Sequence, residues 1–276
     1  MKAKLYVLRG AHPSRSAMLM LDHKGIDYDT VTLPAGFQPY VIRFLGFRPR
    51  PGFSRQVDGE TPRMLRKADR MGTVPALRLG DRRMTTNHDI ARFLDELQAE
   101  PPLLPTDPEH RRAVEAAERW ADEVFQMVAR RLVVAAEVVP GRQLLNHGDD
   151  GRLGPLLYRS RILRRALAHV IARIAFRVNP ETERAMLAEL PEMLDRIDEW
   201  IEEGVLNGEE LYVADFMIAP SLAILTYRAD GAEEIERRPA RQLLDRLLPE
   251  PSRGKPPDRS LSVASLADPS LDSSSR

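Results

Sequence analysis

Two short polar stretches carry the residue types and spacings that could do chemistry. In Gly10-Ala11-His12-Pro13-Ser14, a histidine and a serine flank a proline just before an apolar helical pattern. Pro13 is at home at the first helical position, where its missing N–H would have no partner anyway, and this puts His12 or Ser14 near the cap. The first-turn N–H groups of a helix favour an anion. Ser14 can therefore serve as a hydroxyl donor to an anionic ligand, or as an ordinary helix-start residue. His12 can donate a proton, act as a base, or sit as a solvent-exposed turn residue. The second stretch is Thr86-Asn87. Asn87 takes the N-cap place ahead of Ile90, Phe93, Leu94 and Leu97, which recur at helix spacing. The chain has no cysteine, which excludes disulfides, cysteine–zinc sites and a thiol nucleophile of its own.

The elements that must position these stretches can be read in order. Lys4 to Leu8 alternates and suits a first strand. Ala17, Leu19, Met20 and Leu21 give the apolar side of a helix that stops at Lys24-Gly25, a C-cap signal. Asp27 to Leu33 is a second strand with Val31 and Leu33 on one face. Phe37 to Phe47 suits a short amphipathic helix, broken at Pro49-Arg50-Pro51-Gly52. Residues 53–70 read as a polar insertion that either covers a site or is tolerated on the surface. Val74-Pro75 leads into the apolar run Ala76 to Leu79, a turn at Gly80-Asp81 and a returning strand at Arg83 to Thr85. Taken alone, Pro75 could simply open an edge strand.

After a proline-rich linker at 98–108 the texture changes to helix alone. Helical runs are expected at 109–139, 156–176, 183–206, 212–227 and 232–248. Pro191 predicts a kink in the third, or a start there. The fourth is almost wholly apolar apart from Asp215 and should be central and buried. Residues 251–276 are rich in Ser, Pro and Asp and are expected to be disordered.

The stretch Met71 to Leu97 resembles the second half of the thioredoxin-like domain of glutathione transferases, and LMLDHKGIDYDTVTL resembles its first helix and second strand. The resemblance implies a fold of α/β plus all-α type: a thioredoxin-like βαβ-α-ββα domain over residues 1–97, with an insertion at about 48–70. An all-helical domain over 109–250 would follow. Val213-Ala214-Asp215 resembles the start of that second domain's core helix, where Asp215 is expected to hold backbone N–H groups. The resemblance also implies a cis Val74-Pro75 bond facing the β1–α1 turn, with Val74, Pro75, Thr86 and Asn87 binding glutathione. In the family, Thr86-Asn87 would be Glu-Ser. Asn87 can donate to the ligand carboxylate as serine does, while Thr86 loses the acid that would meet the ligand amine. The family's thiol-activating hydroxyl or thiol falls at Ala11, which cannot donate. Ser14 and His12 remain as candidate catalytic residues. Tyr6 lies one residue from the place of the tyrosine classes, which on a strand means the opposite face.

With 276 residues, a formal net charge of +0 and 43% hydrophobic residues, the chain can bury a sizeable core, and bulk nucleic-acid binding is not implied. An arginine-rich run from Arg152 to Arg177 has no acidic residue. It suits either an anionic membrane surface or, better, the acidic run from Glu181 to Glu199 beside it. A peripheral membrane contact is thus not expected. Two function classes follow: a cytoplasmic, dimeric detoxification enzyme that conjugates or reduces electrophiles with glutathione or another small thiol, and a non-catalytic binding or assembly module on the same fold. No bound cofactor or metal is expected.

Overall fold

The computed structural model describes residues 2–34, 36–48, 74–139, 152–153, 169, 172, 176, 178–249 and 260–262. The first domain is built on strands β1 (Ala3–Val7), β2 (Tyr28–Thr32), β3 (Ala76–Leu79) and β4 (Arg82–Met84). With β5 at Ser260–Ser262, the sheet order is β4-β3-β1-β2-β5, with β1 parallel to β2 and antiparallel to β3. Alternation along β1 assigns the faces. Ala3, Leu5 and Val7 enter the main core, while Tyr6 enters a smaller cluster with Val31, Leu33, Ile42, Phe47 and Ala76. Helices α1 (His12–His23) and α3 (Asn87–Leu97) cover the main face, and α2 (Gln38–Phe44) covers the other.

Strand β5 (Ser260–Ser262) pairs in parallel with β2, Thr30 opposite Ser260. These three residues lie in the tail expected to be disordered and correct that expectation. Without them β2 would present an open edge of unpaired N–H and C=O groups, and backbone pairing of this kind leaves little trace in composition. The insertion at about 48–70 and the helical run at 156–176 lie almost wholly outside the described residues.

The second domain comprises α4 (Pro108–Trp120), a π-helical segment (Ala121–Phe125), α5 (Gln126–Val138), α6 (Pro180–Glu202), α7 (Val213–Leu225), α8 (Ala229–Glu236) and α9 (Ala240–Leu247). The expected run at 109–139 is one helical path interrupted by the π segment. The closing run at 232–248 is two helices, separated near Pro239, which lacks the N–H to carry one helix through. Pro191 sits inside α6, which runs through it. Asn179 caps α6, its Oδ1 accepting from Thr182 N at 2.8 Å, while Thr182 Oγ1 accepts from Asn179 N at 3.0 Å.

Every residue of α7 is buried, as its composition requires. Asp215 stands in its first turn and accepts from the N–H groups of Tyr212 at 2.8 Å and Asn207 at 2.6 Å. Helix α1 packs along α7, so the two domains share one apolar core. Among the described residues no helix is long and apolar enough to cross a membrane.

Candidate functional site

The chain leaves β1 at Val7 and enters α1 at His12 with Ala11 as the N-cap, which offers no side-chain bond. Pro13 is the second helical residue and supplies no N–H, while Ser14 N and Arg15 N already donate to Ala11 O. The unspent donor at this helix start is the His12 N–H. Tyr6 pairs with Ala76, so continuing the register places Pro75 beside Val7, at the end of β1 that feeds the turn. The Val74–Pro75 bond is cis, as the resemblance implies. Tyr6 is buried against Phe47, ring centroids 5.4 Å apart, on the face away from α1.

Helix α3 starts beside the same turn. Its cap is Thr86, whose Oγ1 accepts from Asp89 N at 2.9 Å. Asn87, expected as the cap, is instead the first helical residue. The reason is geometric: a cap side chain must reach the N–H two or three residues on, and Thr86 is the residue whose extended backbone allows it. Freed from capping, Asn87 turns to α1 and its Nδ2 donates to the carbonyl of Pro13 at 3.1 Å. One bond thus joins the two helix starts, beside the N–H of Asn87 at the first position of α3.

Around this joint several buried polar atoms lack partners: Ser14 Oγ, Asn87 Oδ1, His12 Nε2 and Arg15 Nε. Ser14 and His12 are each 2% exposed. The sequence leaves His12 as a solvent-exposed turn residue; the structure buries it because α1 lays this face on the second domain. The ring lies against the backbone of Gln126 at the start of α5, and burial, reinforced by the nearby Arg130 charge, pushes its pKa well below the ordinary 6.5. His12 and Ser14 are two residues apart on α1 and therefore do not share a face. Val74 is half-buried and Pro75 buried. The hollow of about 510 Å³ lined by Ile26, Leu79, Arg82, Phe93 and Leu97 lies at the other end of β3, away from this joint.

Two further buried groups hold the joint and carry no local sequence signal. Lys24, read only as part of a C-cap, sends its Nζ to Asp95 at 2.6 Å and to the carbonyl of Gln98 at 2.6 Å, tying the end of α1 to the end of α3. Glu118 on α4 accepts from Arg92 at 2.5 Å and lies 3.1 Å from His88 Nδ1, tying α3 to the second domain.

Known proteins resemble this chain in its first domain and in its fold. Residues 5–102 match the model of the glutathione S-transferase N-terminal domain. No curated protein matches the chain. Among solved structures, a GST-like protein from Pseudomonas syringae is 19% identical, with 96% of this chain and 72% of that one covered and a TM-score of 0.53. A β-etherase from Sphingobium is 18% identical over 89% and 100% of the two chains, TM-score 0.54. A glutathione transferase homologue from Sulfitobacter, solved with bound glutathione, is 16% identical over 91% and 94%, TM-score 0.51.

The first domain of this chain is similar to the glutathione S-transferase N-terminal domain. At these identities the structural likeness speaks for the fold alone: a thioredoxin-like domain followed by a helical one. At the turn after β1, Ala11 offers no side-chain donor, and Asn87 joins the starts of α1 and α3.

Proposed function

We propose that the chain binds glutathione or another small thiol at the α1–α3 joint and uses it to conjugate or reduce small hydrophobic electrophiles. The observation that carries this reading is the pair of buried acceptor and hydroxyl groups, Ser14 Oγ and Asn87 Oδ1, left without partners where two helix starts meet. Buried polar groups are seldom left unbonded unless something else is to meet them. In this reading the Asn87 N–H at the start of α3 holds a ligand carboxylate, and Asn87 Oδ1 accepts from the ligand amine. Val74 lies alongside the peptide. The ligand S–H gives its proton to solvent. Ser14 Oγ–H donates to the resulting thiolate, and the sulfur then forms its bond to the electrophilic carbon as the leaving group departs. One hydrogen bond to a charged group is worth about 1.5–3 kcal/mol. The reading includes a cytoplasmic setting, a role in detoxification and a homodimer. The non-catalytic alternative rests on one specific observation, that Ala11 offers no donor.

Conjugation of a generic electrophile separates the two. The enzyme reading expects a slow rate, raised at fixed pH by Ala11→Ser and lowered by Ser14→Ala. A fast rate untouched by Ser14→Ala places the donor elsewhere. No rate, with none gained in Ala11→Ser, selects the binding module.

A further inference from the structure

His12 reaches out of the first domain and ends against the second at a structural irregularity. Its ring meets the backbone of Gln126, the residue that closes the π segment Ala121–Phe125. Gln126 N donates to Ala121 O, five residues back, so the helix is widened by one residue at this point. Such widenings recur at functional sites. Beside it, Phe125 stacks on Trp120 at 5.2 Å, and Trp120 meets Trp200 edge-on at 5.3 Å. These are the two tryptophans of the chain.

We propose that His12 is a positioning residue: in its neutral form it clasps the β1–α1 turn to the π segment of the helical domain, and protonation opens the clasp. The argument is one of unmatched donors. A protonated imidazole carries two N–H groups, and the site offers the Gln126 backbone to one of them. Nε2 is buried with no partner, so a second N–H would have nothing to meet. The charged group that acts on the ring is Arg130 of α5, a like charge. Burial adds to the same preference for the neutral form. Folding holds the ring neutral while the unfolded chain protonates it near 6.5. The stabilisation by His12 is therefore complete above that pH and fades as the pH falls toward the lower folded value. The link to Ser14 rests on the proposed function, because His12 and Ser14 share the first turn of α1. The clasp itself does not depend on that function.

Tryptophan emission of the full chain, followed from pH 8 downward until the far-ultraviolet circular dichroism signal is lost, tests it. The wild type is expected to change emission only at a pH well below the ordinary 6.5, while its helical signal holds. His12→Asn and His12→Gln, which between them place an amide donor at either ring-nitrogen position, should lose that transition. His12→Ala should show the shifted emission at every pH. Arg130→Gln should move the transition to higher pH. A flat wild-type profile overturns the proposal, as does an acid transition that survives in both amide variants. If the amide variants flatten the profile but glutathione shifts no melting temperature at neutral pH, the clasp stands and the thiol reading falls.

Discussion

The two ends of the shared core treat buried polar groups in opposite ways. In the helical domain, Arg228 and Glu183 are buried and paired at 2.9 Å, and Arg228 also donates to Leu132 O at 2.6 Å and to both carboxylate oxygens of Asp230. Asp215 is likewise buried and accepts from two backbone N–H groups. At the α1–α3 joint, Ser14, Asn87 and His12 are just as buried, yet each keeps an atom without a partner. Unpartnered atoms also occur elsewhere, as on Arg152, but there the side chain pairs with Asp245. The difference separates two uses of burial: satisfied polar groups hold the fold, and the unsatisfied atoms of Ser14 and Asn87 are the ones the proposed thiol would meet.

The paired side of this comparison should break first. Arg228→Ala removes the guanidinium that pairs with the buried Glu183 carboxylate, a loss of up to about 3–5 kcal/mol, read as a lower midpoint in chemical denaturation. Glu183→Gln should lose less, because an amide still meets the guanidinium. Equal stability of wild type and Arg228→Ala would remove the paired network from the account.

Asp215 sharpens it with pH. Burial raises its carboxyl from the ordinary 3.8 to about 6, outweighing the backbone bonds that pull the other way. The folded chain then holds that proton more tightly than the unfolded one. The contribution is fully present below pH 3.8 and is lost as the pH rises through about 6. Compared with the non-titrating Asp215→Asn, the wild type should lose on the order of 3 kcal/mol between pH 4 and pH 7. A difference that stays constant with pH would mean that the carboxylate is held ionised throughout. The unpaired side predicts the smallest change in stability. Ser14→Ala removes a hydroxyl with no partner and should alter the unfolding free energy by less than about 1 kcal/mol, whatever it does to thiol chemistry.

Most of the fold was legible because it rests on local patterns. The alternation of β1, the Lys24-Gly25 stop, the hairpin around Gly80 and the apolar α7 all lie within short windows. Tertiary partners were not legible. Lys24 finds Asp95 and Gln98 some seventy residues away, and no periodicity announces that. His12 was read as a turn residue because its burial depends on a helix in the other domain. Asn and Thr both cap well, so the sequence does not separate Asn87 from Thr86; the extended backbone at Thr86 makes the choice. The three-residue edge strand β5 is held by backbone groups that every sequence possesses.

The central claim is that the α1–α3 joint takes a small thiol. A thermal-shift titration with glutathione at neutral pH tests it most directly, run on the wild type and on Asn87→Ala. A ligand that binds only the folded state stabilises it by about 2.7 kcal/mol at a hundred times its dissociation constant. The account predicts a concentration-dependent rise in melting temperature for the wild type that is lost or sharply reduced in Asn87→Ala. A wild type that does not move at any glutathione concentration, or a rise that Asn87→Ala leaves intact, would contradict it.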